Sequence, residues 1–327
     1  MQLRGLAVAM VAVVLTGFAS VSSPGIDEAG AALLQEVALG LGAGYRQDDF
    51  RWNIAGDVDV LSELEWSDLE IFQLLGTGKL VLAPAAFPAQ ICFRSALGYG
   101  VIFDGKNRDS DFAGNNRTLE FSRAESQADD GSTLDASAGG GMRFPARGGK
   151  LTLAGLVGYS YHEQNLTASE GVQTVSVPAT FTNFAVVPAP LGALPGLDSK
   201  YEARWHGPWA GLDLTFSPFP RTAVETGFEY HWAAYRAKGD WNLRSDLAHP
   251  RSFEHRADGR GMVAFLGGRY DFSERLAVTL RLDYQDWFTE PGTSKTFFAD
   301  GSTGRTRLNE VEWESFAASL GLVFSFI

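Results

Sequence analysis

Apolar and polar residues alternate along several segments of the chain, and the most regular of these is residues 278–285. Every second residue there is Val, Leu or Tyr, and the residues between them are Thr, Arg, Asp and Gln. Side chains of a β-strand alternate between its two faces, so this pattern predicts a strand with one apolar and one polar face. Four further segments show similar alternation: residues 150–161, 209–216, 224–232 and 316–326. Each is close to the roughly 9–11 residues of a tilted membrane-spanning strand.

Residues 1–23 have the pattern of an export signal. Arg4 precedes an apolar run at residues 6–18, and small residues follow at 19–23. The run is shorter than the about 20 apolar residues that a membrane-spanning helix needs. We therefore predict a signal peptide over residues 1–23, with cleavage there or as late as residue 32, and one barrel domain over residues 33–327. The chain offers no later candidate for a spanning helix, so membrane residence must come from strands.

The connections between the predicted strands alternate in length. Short connections are expected at residues 145–149, 217–221 and 271–274, and long ones at 104–118, 167–200, 235–253 and 290–307. Bacterial outer-membrane barrels have short periplasmic turns and long extracellular loops. The predicted fold class is therefore all-β, a single antiparallel transmembrane β-barrel of about ten strands. Its apolar faces point to lipid, and its polar faces, including Glu225, Glu229, Arg281 and Asp283, fill the lumen.

Composition narrows the function further. The chain has 39 acidic and 27 basic residues, for a net charge of −12, which disfavours nucleic-acid binding. A single cysteine, Cys92, excludes an intrachain disulfide. Aromatic residues near the strand ends suggest the two girdles of a membrane barrel, with Trp209 at the short-turn end and Trp287 at the long-loop end. The Pro-rich apolar stretch at residues 172–195 could be a lid, a partner surface or disordered.

Two polar clusters could carry chemistry. Asp109 and Asp111, in the predicted loop after strand 91–102, would point the same way if the backbone is extended, and could hold a water or cation or share a proton. Asp240 and Asn242 are spaced in the same way. Spacing alone favours simpler interpretations, a solvated loop for the first cluster and an Asx turn for the second. The histidines lack metal-ligand spacing, so we predict no metal site and no cofactor.

The order of several short motifs resembles the omptin family of outer-membrane proteases, which are ten-stranded barrels with the active site in the extracellular mouth. Residues 61–66 resemble the Ser-x-Leu-Asp-Trp segment of that family, and residues 109–112 resemble its Asp-x-Asp-Trp motif. Segments 155–159, 208–212 and 230–240 follow the omptin strand patterns in order. The resemblance covers nearly the whole chain after the signal segment.

In omptins an aspartate pair faces an Asp–His pair, and a water between them attacks the scissile amide. The resemblance places Asp109 and Asp111 at the first pair, Asp240 at the second aspartate and Asn242 at the histidine. Because an amide cannot act as a general base near neutral pH, a protease would need a replacement from elsewhere. The candidates for that base are three histidines: His231, His249 and His255.

The resemblance also implies binding residues. In the family's pocket for a basic substrate side chain, Asp48 matches the first acid, while Lys238 stands near the second and would repel such a substrate. Arg204 and Arg256 match basic residues with which omptins bind lipopolysaccharide on the outer wall, and a guanidinium suits lipid phosphate. The expected partners are therefore outer-membrane lipid, including lipopolysaccharide, and a peptide or protein substrate in the mouth.

Two functions remain open from the sequence. The first is an omptin-like endopeptidase with an aspartate-held water in the extracellular mouth. The second is a non-proteolytic outer-membrane barrel that acts in adhesion, in ligand binding or as a scaffold. A general diffusion pore is a weaker third possibility, because a barrel of about ten strands lies between the filled eight-stranded and the open sixteen-stranded cases.

Overall fold

The structure is a computed structural model that describes residues 33–84, 89–181 and 185–326. The predicted signal peptide lies outside these residues. The strands are β1 (Leu34–Ile54), β2 (Ser62–Leu82), β3 (Gln90–Gly114), β4 (Thr118–Gln127), β5 (Gly131–Ala146), β6 (Leu151–Ser176), β7 (Ala179–Thr180), β8 (Ala185–Val186), β9 (Gly192–Phe216), β10 (Thr222–Asp240), β11 (Phe253–Asp271), β12 (Leu276–Thr289), β13 (Gly292–Phe297) and β14 (Thr303–Ser325). A 3₁₀ turn, Arg147–Gly149, separates β5 from β6. Within the described ranges, no helix is long and apolar enough to cross a membrane.

The strands form one closed antiparallel ring. The first three wall positions are β1, β2 and β3, and β4 and β5 together make the fourth. The ring continues through β6, β9, β10 and β11 to β12 with β13, and then to β14. It closes where β14 pairs with β1, for example at Phe324 and Leu39. The predicted all-β barrel of about ten strands is therefore confirmed, while β7 and β8 form a separate small hairpin.

The outer wall carries a band of exposed apolar side chains. Leu280, Leu282 and Tyr284 are exposed on β12, as the alternation in residues 278–285 predicts. Arg281 lines the lumen and pairs with Asp283 at 2.8 Å. Tyrosine and tryptophan mark the band's upper edge on several strands: Tyr45, Tyr159, Trp232 and Tyr284. Exposed charged residues follow above that edge, among them Arg51, Arg108 and Arg236.

The strands reach further than the membrane requires. The uninterrupted wall strands are 19 to 26 residues long, against roughly 9–11 residues for a tilted membrane span. The short turns are confirmed to within a few residues, but most of the predicted long loops are extensions of the strands. For example, predicted loop 104–118 belongs mainly to β3, and only residues 115–117 connect it to β4. Strand pairing continues above the membrane, where the inward side chains still pack against one another in the lumen.

A layer of buried aromatic side chains fills the lumen near its extracellular end. We call this the aromatic layer: Phe50, Trp52, Trp66, Tyr201, Trp205, Tyr235, Phe253, Trp287 and Trp313. Trp287 and Trp313 stack with ring centroids 5.4 Å apart and planes 17° apart. The prediction that Trp209 and Trp287 belong to lipid-facing girdles is wrong, because both side chains are inside the barrel and buried.

Candidate functional site

Asp109 and Asp111 lie together on β3 and point into the extracellular mouth. Asp109 is directly opposite Leu64 of β2, which is buried in the lumen core, and opposed residues of an antiparallel pair share a face. The Trp241 indole donates a hydrogen bond to Asp109, and the Ser62 hydroxyl donates one to Asp111. The two carboxylates therefore point the same way, as their spacing predicts, but from an extended strand rather than from a loop.

The environment of this pair favours the protonated carboxyl. Burial, and then the charge of Asp111, raise the pKa of Asp109. Burial also raises the pKa of Asp111, although hydroxyl hydrogen bonds and Arg244 oppose the shift. Both groups lie above the apolar band, which ends on β3 at Phe103. Two carboxyls so placed hold a proton more readily than isolated ones, which is the requirement for a shared-proton acid pair.

Asp240 lies on the other side of the wall. On β10, Tyr235 and Ala237 are buried in the lumen core, so Asp240, three residues beyond Ala237, has the opposite orientation. It pairs in register with Lys200, an exposed residue of β9. Its Oδ1 lies 2.6 Å from Nδ1 of His249, and hydrogen bonding to Asp240 raises the pKa of His249.

Asn242 ties the loop that follows β10, residues 241–252, to the top of β9. Its Oδ1 accepts from the backbone N–H of Asp198 at 2.9 Å, and its Nδ2 donates to the carbonyl of Gly196 at 2.6 Å. It is therefore engaged in fixing a loop. The structure brings Asp109 and Asp111 together and brings Asp240 to His249, but Asp240 points away from the first pair and Asn242 bonds to the top of β9 instead.

The predicted pocket for a basic substrate is also divided. Asp48 is buried in the lumen, where it forms an ion pair with Arg46 at 2.5 Å and accepts a hydrogen bond from the Trp313 indole at 3.0 Å. Lys238 points outward and pairs with Glu202 of β9 at 2.8 Å. The expected repulsion of a substrate in the mouth by Lys238 therefore has no geometric basis.

Two of the three candidate replacement bases are buried in the lumen. Nδ1 of His231 lies 3.0 Å from Oγ of Ser160, and its Nε2 lies 3.1 Å from Glu229. Nδ1 of His255 lies 2.8 Å from the Tyr201 hydroxyl, and burial lowers the pKa of His255 to about 3. Both are held by partners other than the aspartate pair on β3.

Arg204 and Arg256 belong to a row of outward-facing residues above the apolar band. Arg236 of β10 lies directly between them, opposite Arg204 on one side and Arg256 on the other. Arg256 is in turn opposite Thr293, and Thr293 is opposite Arg307 of β14. The sequence prediction did not include Arg236. It lies four residues after Trp232 on the same strand, and this even spacing places both side chains on the outer face.

The loop that follows β10 covers the mouth from within. Trp241 packs against the aromatic layer, and the Arg244 guanidinium interacts electrostatically with both Asp109 and Asp111 while pairing with Asp246 at 2.8 Å. Towards the short-turn end, the lumen holds a cavity of about 320 Å³, lined among others by Arg94, Glu225, Glu229 and Arg281. In the described parts of the chain, no group of three or more His, Cys, Asp or Glu side chains could hold a metal ion.

Comparisons with known proteins agree with this architecture. The outer membrane protease OmpT from Escherichia coli superimposes with a TM-score of 0.69 at 14% identity, over 89% of this chain and 97% of that chain. The translocator domain of the autotransporter NalP from Neisseria meningitidis gives a TM-score of 0.35 at 12% identity, over 97% of each chain. No curated protein sequence matches the chain. The OmpT superposition shows that the fold is that of an omptin-like outer-membrane barrel.

The family assignment comes from a protein-family model that matches almost all of the described barrel. The model described as "Pom: Protochlamydia outer membrane protein" matches residues 40–326. Together with the barrel fold, this places the protein in the outer membrane as a multi-strand β-barrel. The chain belongs to the Protochlamydia outer membrane protein (Pom) family.

Proposed function

We propose that this protein is a non-proteolytic outer-membrane barrel that serves as a scaffold for binding at the cell surface. The main observation is that Asp109 and Asp111 point into the mouth, whereas Asp240 lies on the outer face and Asn242 is engaged in fixing the loop that follows β10. Amide hydrolysis of the omptin type needs a general base within hydrogen-bond reach of the attacking water. Opposed to the acid pair are Trp241 and Arg244, which supply no such base.

The filled lumen supports the same proposal. The aromatic layer draws side chains from β1, β2, β9, β10, β11, β12 and β14, so it extends across the barrel. Protein interiors packed in this way leave few voids larger than a water molecule. A barrel closed by its own side chains suits a scaffold better than a diffusion channel.

The test is a pair of measurements on the refolded barrel. Incubation with a varied peptide library is expected to give no cleavage, and insertion into a planar bilayer is expected to give no steady ion conductance. Reproducible cleavage that Asp111→Ala abolishes would overturn the proposal in favour of a protease. Steady conductance by the unmodified barrel would overturn it in favour of a pore.

A second candidate function is peptide hydrolysis by the acid pair alone. The observation in its favour is that two adjacent carboxyls with raised pKa values share one partly buried site, as two catalytic aspartates do when they share a proton. Arg244 would have to leave before a substrate could reach the pair. Cleavage by Arg244→Ala that is lost in the Arg244→Ala, Asp111→Asn double variant would support this function. Arg251→Ala, which changes an exposed arginine of the same loop, is the matched control.

We also propose that the arginine row binds lipid phosphate. Arg236 is four residues above Trp232, roughly 13 Å along the strand, which places its guanidinium at headgroup level above the apolar band. Arg236 and Arg307 have no ion pair among the described residues, whereas Arg204 is neutralised by Glu163 at 3.0 Å and by Glu202. The unneutralised members of the row are therefore the better phosphate ligands.

Lipopolysaccharide that co-purifies with the barrel provides the measurement. The double variant Arg236→Ala, Arg307→Ala is expected to lose most of it. Lys106→Ala, Arg108→Ala removes two exposed charges from β3 instead and is expected to retain it. Equal retention by both double variants would discard the proposal.

A further inference from the structure

One extracellular connection differs from all the others in its charge. Residues 171–197, at the end of the β6–β9 hairpin, contain no Asp, Glu, Lys, Arg or His, in a chain of which 20% is Asp, Glu, Lys or Arg. Each of the other four extracellular connections carries at least one ionised residue: Asp57 and Asp59, Arg117, Arg244 with Asp246, and Asp300. We call residues 171–197 the uncharged tip.

The described part of the uncharged tip exposes aliphatic side chains. Val177 is 53% exposed, Val187 78% and Leu191 66%. Beneath them, Phe121 of β4 packs against Ala179 and Phe181 in a small buried cluster. The exposed residues are therefore supported by a packed base and present a preformed apolar surface.

This surface is too far from the protein's own membrane to be covered by it. β6 is the longest strand of the wall, and Ser176 lies 15 residues beyond Tyr161, itself two residues above Tyr159 at the upper edge of the apolar band on this strand. At about 3.3 Å per residue this is roughly 50 Å along the strand, or about 35 Å along the membrane normal at a tilt of about 45°. Whatever covers the tip must come from outside the cell.

We propose that the described exposed side chains of the uncharged tip, Val177, Val187 and Leu191, insert into a neutral lipid bilayer that faces the cell surface. Energetic hot spots of protein interfaces are enriched in Trp, Tyr and Arg, none of which occurs in residues 171–197. Charged groups are costly in a bilayer, whereas valine and leucine enter it favourably. The composition therefore fits lipid better than a protein partner. This inference rests on the proposed function, because it names the partner of the extracellular scaffold.

The experiment uses the full-length mature barrel in nanodiscs, mixed with vesicles of pure phosphatidylcholine and separated by flotation. We expect the unmodified protein to float with the vesicles and the double variant Val187→Asp, Leu191→Asp to bind at least tenfold less. Both positions are exposed, so the variants keep the packed base and the wall. Asn116→Asp, Ser302→Asp adds the same charge to two other extracellular connections and is expected to bind as the unmodified protein does.

Three outcomes would overturn the inference: no flotation of the unmodified protein, unchanged flotation of Val187→Asp, Leu191→Asp, or an equal loss in the control double variant. Binding only to vesicles that carry a membrane protein would also overturn it and assign the surface to a protein partner. Peptide cleavage or conductance would contradict the proposed scaffold function and leave vesicle binding unchanged, so the two failures are distinguishable.

Discussion

Trp287 is at the centre of the aromatic layer, and replacing it with alanine measures how much stability that layer supplies. Its side chain is fully buried and contacts the rings of His162, His231, Trp205 and Trp313, with centroid distances between 4.7 and 5.7 Å. A buried tryptophan removes roughly 200 Å² from solvent, which at about 25 cal/mol per Å² corresponds to about 5 kcal/mol. Large-to-small core substitutions of this type cost about 3–5 kcal/mol. We therefore expect Trp287→Ala to destabilise the barrel by about 3–5 kcal/mol.

The assay is a urea titration of the barrel in phospholipid vesicles, followed by the gel mobility of the folded form. Trp232→Ala is the matched control, because Trp232 is 52% exposed on the outer wall and should lose about half as much or less. Equal losses for the two variants would refute the reasoning, since they would mean that the lumen is no better packed than the lipid-facing surface.

Three further predictions follow from particular contacts. Gly207 of β9 has no room for a side chain, because an added Cβ would overlap a backbone carbonyl of β10. Gly207→Ala should therefore destabilise the barrel by about 1–3 kcal/mol in the same urea titration. Gly268→Ala, at a site with open space for a Cβ, should leave the stability unchanged. Because the pKa of Asp109 is raised, the protonated carboxyl stabilises the fold at low pH, and this contribution is lost as pH rises through the folded-state pKa. Asp109→Asn should therefore become more stable than the unmodified protein at alkaline pH, as measured by thermal unfolding between pH 5 and 9. Parallel stability curves for the two proteins would contradict the raised pKa. Asp240 raises the pKa of His249, so the protonated imidazole stabilises the loop after β10 and this stabilisation is likewise lost as pH rises. The loop should therefore become more susceptible to limited proteolysis as pH rises above about 6.5, and His249→Gln should remove that pH dependence.

The sequence predicted the wall of the barrel well because membrane strands have a simple rule. Lipid on one side and a packed lumen on the other impose strict alternation, so residues 278–285 were placed on the correct faces from pattern alone. The same rule would have put Trp287 inside, since it has the parity of Gln285. Assigning Trp287 to a girdle because it lies near a strand end ignored the face on which its side chain falls, and so placed it on the lipid side of the wall.

The candidate site was harder to predict because it depends on how neighbouring strands pair and on how far they extend above the membrane. The spacing of Asp109 and Asp111 showed that they share a face, and the structure shows which face through their pairing with β2. Asp240 and Asn242 share the same spacing, but β10 ends at Asp240: the orientation of Asp240 follows from the buried side chains of Tyr235 and Ala237 on that strand, whereas Asn242 belongs to the loop beyond it. The length of the strands above the membrane had no sequence signal, because bilayer thickness sets only a minimum.

The aromatic layer also determines how the protein responds to light. Six of the eight tryptophans, Trp52, Trp66, Trp205, Trp209, Trp287 and Trp313, are buried in the lumen, while Trp232 is exposed on the outer wall. Emission from the folded barrel should therefore be blue-shifted and largely insensitive to brominated lipids, which can quench Trp232 but cannot reach the lumen. The stacked rings of Trp287 and Trp313 should add an exciton couplet to the near-ultraviolet circular dichroism, so the interior can be monitored without any attached label.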